Sequence, residues 1–176
     1  MAERWKPNVT VAAIASRPRA GAPSTREYLL VEEHTADGLR LNNPAGHLDP
    51  GESPQQAVVR EALEETACAF VPERLVGVYL ARKARSADGE DTTYLRFAFA
   101  GRVGEPDPAR RLDTGIVRTL WMTLDELRAS ADRHRSPLLL CSVEDAAAGR
   151  GVPLETIVVD ASVFDGPADP PEPVGR

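Results

Sequence analysis

Cysteine is scarce in this 176-residue chain, where Cys68 and Cys141 stand far apart and form no CxxC pair. That excludes a disulfide framework and a cysteine-built zinc site, and makes a reducing compartment the default. Aromatic residues make up only 5%, so an aromatic clamp for a nucleobase cannot be located from the sequence. No apolar run approaches the roughly 18 residues of a membrane helix, which predicts a soluble, cytoplasmic protein with no membrane partner. The apolar run near the N-terminus, Val9 to Ala15, is interrupted by Thr10 and follows Pro7 and Asn8. It reads as a first strand rather than a signal peptide, although Ala13-Ile14-Ala15 mimics a cleavage site. Basic charge is in deficit too, with 21 Lys and Arg against 27 Asp and Glu for a net charge of −6. A general basic field for gripping double-stranded nucleic acid is thereby excluded, whereas a nucleotide held through metal ions is not.

What is present is a globular balance of 42% hydrophobic and 27% charged residues, in a length that suits one domain with extensions. Val9 to Ala15 predicts a strand closed by the turn residues from Arg17 to Pro23. Tyr28 to Val31 predicts a second strand closed by Asp37-Gly38, and the two apolar runs are expected to pair as a hairpin. Leu41 to Gly46 runs into a glycine-rich turn. The clearest helix spans Ser53 to Cys68, with Ser53 as N-cap, Pro54 at the first helical position and Gln56 closing a capping box. Phe70-Val71-Pro72 is expected to end it. Leu75 to Ala81, Tyr94 to Val103 and Ile116 to Met122 read as strands, with Trp121 and Met122 in the core. Thr123 to Glu126 is a capping box opening a short helix, and a further helix follows Ser136-Pro137. The expected domain covers residues 8–150, 151–164 form an extension with no element read into it, and the proline-rich 165–176 are expected to be disordered.

The central helix carries Arg60-Glu61-Ala62-Leu63-Glu64-Glu65. At about 100° per residue, Glu64 and Glu65 fall about 60° and 40° to either side of Glu61, so three carboxylates share one face. Val59 and Leu63 lie near the opposite side, which predicts an apolar stripe turned inward and the acids turned outward to a cleft. A solvated acidic face is the plain alternative. Against it, like charges at these spacings destabilise a helix, and no lysine follows where it would offset them. Hard divalent cations favour such clustered carboxylate oxygens, and Mg²⁺ combines them with substrate phosphates. Upstream, Pro44 to Glu52 form a turn-rich loop entering the helix N-terminus, where backbone groups can approach a ligand closely.

Gly46, five residues, Glu52, seven residues, then Arg60-Glu61-Ala62-Leu63-Glu64-Glu65-Thr66-Ala67-Cys68 resembles the Nudix box, G-x5-E-x7-R-E-U-x-E-E-x-G-U with U aliphatic. Every charged position matches. Ala67 stands where the family usually has glycine, and Ala62 and Cys68 are small members of the U positions, which bears on the helix end rather than on the chemistry. Asn43 to Leu48, Tyr94 to Phe99 and Ser136-Pro137-Leu138 resemble the NudJ-like phosphatase branch, extending the likeness over most of residues 8 to 145.

The resemblance implies an α/β/α sandwich on a mixed β-sheet, with the box as a loop-helix-loop, and hydrolysis of a diphosphate linked to another moiety. It implies Mg²⁺ or Mn²⁺ held by Glu64 and Glu65, with Glu61 either a further ligand or the group that orients and deprotonates the attacking water. The Ala45 carbonyl would complete the shell, and Gly46, Glu52 and Arg60 would support the motif, with Glu52 and Arg60 paired. An acid from a distal loop often helps in the family, and Asp88, Glu90, Asp91 and Asp113 are the candidates. Arg82, Lys83, Arg85 and Arg96 are suited to phosphate contacts, Arg82 and Arg96 foremost, and His47 reads as a supporting residue of the loop. The implied partner is a small-molecule diphosphate: a nucleoside tri- or diphosphate, or thiamine pyrophosphate or its hydroxymethylpyrimidine counterpart. ADP-ribose, other nucleoside diphosphate derivatives, RNA 5′ ends and a non-catalytic nucleotide-sensing role stand as alternatives, and the chain is expected to be a monomer or homodimer.

Overall fold

Side-chain alternation along the first strand decides the layering. In a computed structural model describing residues 5–83 and 91–165, β1 (Asn8–Arg19) is buried on both faces from Thr10 to Ala15. Val11, Ala13 and Ala15 pack with Ala57, Val58, Ala62 and Phe99 in one core cluster. Ala12 and Ile14 pack with Ala98, Leu127, Leu139 and Val143 in another. A strand covered on both sides reads as a continuous apolar run, which is how Val11 to Ala15 reads.

The remaining strands build outward from β1. Along one edge it pairs in parallel with β6 (Thr92–Val103), from Asn8↔Tyr94 to Ala15↔Gly101, and β6 pairs antiparallel with β5 (Phe70–Lys83). Along the other edge it carries the three-residue β4 (Ala45–His47), Thr10 opposite His47 and Ala12 opposite Ala45. Further out, β2 (Ala22–Thr35) pairs with β3 (Gly38–Asn42) and with β7 (Ile116–Thr123), so the path runs β3-β2-β1-β6-β5. Helix α1 (Pro54–Thr66) lies on one face, and α2 (Leu124–Ala129) and α3 (Leu138–Ala147) on the other. The result is the α/β/α sandwich on a mixed sheet that the resemblance implies.

Three expectations change. The two apolar runs do not pair with each other: only the outer ends of β1 and β2 form the hairpin, from Ser16↔Tyr28 to Arg19↔Ala22. The run in β1 is taken by β6 and β4, and Tyr28 to Val31 by β7. Arg17-Pro18-Arg19 is therefore strand rather than turn, with the ladder shifting register at Pro18, where the missing N–H is tolerated. The turn itself is Ala20-Gly21, with Gly21 at φ 76°. Second, β2 continues to Thr35 with Glu32 and Glu33 buried in it. Arg118 (2.7 Å) and Arg133 (2.5 Å) neutralise Glu32, and Arg135 neutralises Glu33, which lets the strand carry charge inward. Third, the strand expected from Leu75 begins earlier, with Phe70 to Pro72 opening β5; β5 is an edge strand, and its register slips between Pro72 and Arg74.

The segment beyond α3 returns to the sheet. Val152 exchanges backbone hydrogen bonds with Leu75 (2.8 and 3.0 Å), and Leu154 and Ile157 pack against the core on the α1 side. Residues 166–176, nearly all of the proline-rich tail, lie outside the described residues. Among the described residues no helix is long and apolar enough to cross a membrane.

Candidate active site

Helix α1 starts where its local chemistry says it should. Ser53 Oγ accepts from the Gln56 N–H (3.2 Å) while Gln56 Oε1 accepts from the Ser53 N–H (2.8 Å), and Pro54 opens the first turn. The helix ends at Ala67, which sits in left-handed backbone at φ 58° and donates its N–H to the Leu63 carbonyl (3.0 Å).

The buried face is not the expected one. Val59 and Leu63 lie on the outer, half-buried side, whereas Ala57, Val58, Ala62 and Thr66 turn inward together with Glu61 and Glu65, each 9% exposed. The small side chains of Ala57 and Ala62 let the helix approach β1 closely, and Gly46 in β4 leaves the room that Glu61 fills. A Cβ on Gly46 would stand 2.1 Å from Glu61 Oε2. The acids therefore occupy the seam between α1 and β4, with only Glu64 at its open side.

Burial and pairing divide the four glutamates electrostatically. Glu65 Oε2 accepts from the Ala45 N–H (2.8 Å). Its burial, aided by the nearby charges of Glu33 and Glu61, outweighs that bond and pushes its pKa up to about 8. Glu61 is also raised, burial outweighing its contact with Arg60. Arg60 reaches Glu52 through Nε (3.0 Å) and Nη2 (2.6 Å), and reaches Glu61 (2.7 Å) and Glu64 (3.1 Å) through Nη1. Its Nη2 also donates to the His47 carbonyl (2.9 Å). The hydrogen bond from Arg60 leads the lowering of the Glu52 pKa, with the Asp49 N–H assisting. Glu52 and Arg60 thus pair and tie the loop to the helix.

The donor set of Glu61, Glu64 and Glu65 is made of hard oxygens, the kind Mg²⁺ and Mn²⁺ take. Among the described residues no three acidic, histidine or cysteine side chains converge into a ready-made cage, because Arg60 Nη1 lies between Glu61 and Glu64 and Glu65 turns to Ala45. Arg60 is the present counter-cation of a carboxylate pair. A divalent ion taking its place fits the chemistry of the site.

Across β4 from these acids lies a cleft of about 330 Å³. Ala45, Gly46 and His47 form its wall toward α1, and Arg82, Tyr94, Arg96 and the segment Arg135–Leu138 line it. Arg96 is 8% exposed, its Nε is 3.5 Å from Thr10 Oγ1, and burial lowers its pKa to about 10. Its Nη1 is buried with no hydrogen-bond partner among the described residues, as is Asn42 Oδ1. Arg82 sits at the exposed rim in an ion pair with Asp91, and Lys83 beside it also lines the cleft. Of the distal acids, Asp113 is drawn to α1, its N–H donating to the Glu64 carbonyl (3.0 Å). Asp88 and Glu90, like Arg85, lie outside the described residues. Trp121 and Met122 pack against the two core clusters. Sequence reasoning missed Glu33, Asn42 and Arg135. The signal for Glu33 was a pair of acids running straight on from an apolar strand; both are buried, with the ladder to β7 shifting register between them.

A family model described as the NUDIX domain matches residues 6–140. Phosphatase NudJ of Escherichia coli strain K12 is 32% identical over 154 residues, covering 87% of this chain and 92% of that protein. A NUDIX hydrolase from Nitrosomonas europaea superposes with a TM-score of 0.78 at 48% identity, over 88% of this chain and 98% of its own. The NUDIX domain of Shewanella oneidensis NrtR, crystallised with ADP ribose, shares the fold with a TM-score of 0.59 at 17% identity, over 83% of this chain and 90% of that one.

Proposed function

The chain belongs to the Nudix family and is a hydrolase, and from that premise we propose that it cleaves the diphosphate linkage of a small phosphorylated molecule with the aid of Mg²⁺ or Mn²⁺. The observation that carries this is the seam between α1 and β4, where Glu61 and Glu65 are held against Gly46 and Ala45 with an arginine-lined cleft on the far side of the same short strand. Glu64 and Glu65 are the metal ligands, Glu61 is a further ligand or the base, and the Ala45 carbonyl completes the set. A divalent ion bound there would neutralise phosphate charge and lower the pKa of a bound water.

The chain's own residues do the rest. Burial raises the proton affinity of Glu61, which suits it to take a proton from water at neutral pH. Arg60 fixes the orientation of Glu61 through Nη1 and ties it to Glu52. Arg96 from inside the cleft and Arg82 from its rim hold phosphate oxygens, and Asp113 is the acid best placed beside the helix. The catalytic domain is 8–150, and 151–164 brace its α1 side. The curated relatives are named phosphatases, which favours nucleoside tri- and diphosphates and the thiamine or hydroxymethylpyrimidine pyrophosphates as substrates.

The test is phosphate release from a panel of these compounds and ADP-ribose, with Mg²⁺ and with chelator. Metal-dependent turnover is expected. Glu61→Gln is expected to cost about 10²–10⁴-fold in kcat, and Glu64→Gln with Glu65→Gln to abolish the Mg²⁺ dependence with the fold intact by circular dichroism. Retained turnover in that double variant would sink the metal assignment, and folded wild-type protein that binds a panel member but cleaves none would point to nucleotide sensing.

A further inference from the structure

Toward one end of the sheet, the residues that face the α2 and α3 layer change character. In β1, Ala12 and Ile14 give way to Ser16; in β6, Ala98 and Ala100 to Arg102; in β2, Leu30 and Tyr28 to Arg26. The change falls where α3 stops at Ala147, after which the chain crosses to Leu75 on β5. Beyond the helix end lies a cleft of about 310 Å³ that shares no lining residue with the cleft across β4. Leu138 at the start of α3 lines that cleft, and Ala146 and Ala147 at its end line this one, about 12–14 Å away along the helix.

The floor is apolar and the rim is positive. Ile14, Tyr28 and Ala100 form the floor, each at most 5% exposed. Three guanidiniums, Arg26, Arg74 and Arg102, stand against the one carboxylate of Glu73, which pairs with Arg102 (2.5 Å). Among the described residues Arg26 and Arg74 pair with no carboxylate. Arg26 donates to Ser16, through Nε (3.1 Å) and Nη2 (2.7 Å) to Oγ and through Nη2 (2.9 Å) to the carbonyl. Arg74 donates to the carbonyls of Arg150 (3.2 Å) and Ala146 (3.3 Å). The two positive charges left over invert locally the sign of a chain whose net charge is −6.

Tyr28 is the second observation. It is 5% exposed, yet its hydroxyl makes no hydrogen bond with any described residue. Because that hydroxyl is not sealed off, its partner stands in the cleft. Water would satisfy the hydroxyl alone, but it would not meet the charge of Arg26 and Arg74.

We propose that this second cleft binds an organic phosphate, its phosphate group held by Arg26, Arg74 and the Tyr28 hydroxyl, and its apolar body laid on Ile14, Ala100 and the Tyr28 ring. Guanidinium forks match phosphate oxygens, and neutral oxygens already hold both arginines, so binding breaks no ion pair. A phosphomonoester, close to a dianion at neutral pH, meets the excess of two positive charges, whereas a carboxylate meets half of it. The volume is at the small end of ligand sites, which suits a single ring. Binding here rests neither on the metal nor on the hydrolase reading.

The test is a series of amide nitrogen–proton correlation spectra of the full chain in chelator, titrated with phenyl phosphate, inorganic phosphate or benzoate. Phenyl phosphate is expected to shift the amides of Ser16, Tyr28, Gly101 and Ala147, a set distinct from Gly46 and Leu138, which report the cleft across β4. R26M and R74M are expected to weaken the first set by about tenfold or more each, and Y28F to weaken it less. If R74M does not fold, R26M on its exposed side chain and Y28F decide the matter. Shifts confined to Gly46 and Leu138, or a first set unchanged in folded R26M, would overturn the site. Inorganic phosphate is expected to act through the same arginines more weakly, for want of a group on the floor, and benzoate more weakly for want of charge. Benzoate binding as tightly as phenyl phosphate would overturn the assignment to phosphate, and inorganic phosphate doing so would overturn the role of the floor.

Discussion

A methyl group occupies backbone that usually carries only hydrogen. Ala67, at φ 58° and ψ 13°, closes α1 in the position where the family's motif places glycine. Left-handed backbone costs an L-residue about 1–2 kcal/mol, and Ala67 accepts it because its N–H must reach the Leu63 carbonyl and its carbonyl takes the Asp107 N–H (2.9 Å). Replacing it by glycine removes the strain but loosens the unfolded chain, at a cost of about 0.4–1 kcal/mol. The balance favours the variant: Ala67→Gly is expected to gain up to about 1 kcal/mol in urea denaturation and to raise the Tm by about 2–4 °C for a chain of this size. A lower Tm would mean that the buried Ala67 methyl contributes more through packing than it costs in strain. The charged residues gathered at the candidate site were legible as a cluster, because Glu52, Arg60, Glu61, Glu64 and Glu65 occur at fixed spacings. Arg135 was not, since its relation to Glu33 spans about a hundred residues of chain and no local spacing encodes it.

At the scale of elements, what was legible is what is local. Both capping boxes, Ser53 with Gln56 and Thr123 with Glu126, form as read because each partner lies within one turn of the other. The inward face of α1 was misread because facing is a tertiary choice: a wheel shows which residues share a side, but β4 decides which side docks. Gly46 makes that choice possible, its missing side chain leaving space that the Glu61 carboxylate fills. A methyl there would meet the movable end of Glu61 rather than backbone, so Gly46→Ala is expected to shift the carboxylate and leave the sandwich folded. Displacement of a reacting group by about an ångström can cost on the order of 10²-fold, and a loss of that order in kcat with a nearly unchanged circular dichroism spectrum is the expected outcome. Full activity in Gly46→Ala would show that Glu61 has no role that depends on its position. Strand boundaries failed for a related reason. Glu32 and Glu33 look like the end of a strand until Arg118, Arg133 and Arg135 arrive from distant segments to neutralise them.

For the whole molecule, the sandwich buries acids in its interior, and that couples folding to pH. Glu65 keeps its proton in the folded protein to about pH 8, whereas an unfolded glutamate loses it near its ordinary value of 4.5. Glu61 is shifted in the same direction. Folding therefore takes up protons between these values, and the contribution to stability, complete below about pH 4.5, is lost as pH rises through about 8. Glu32, Glu52 and Glu126 are shifted the other way by their hydrogen bonds, to Arg118, to Arg60 and to the Thr123 N–H in turn. Their contributions are present above the ordinary value and fade on acidification, a separate window. In chelator, the Tm is expected to fall between about pH 4.5 and about pH 8 and to level off above it, and Glu65→Gln, which cannot ionise, to flatten that fall. A divalent ion requires the ionised carboxylates, so the rise in Tm on adding Mg²⁺ is expected to be larger at the higher pH and to shrink in Glu65→Gln. A metal-free Tm that held steady or rose across this range would mean that Glu65 is already ionised at neutral pH. In that event the ion would bind a preformed carboxylate, and its effect on Tm would no longer depend on pH in this window.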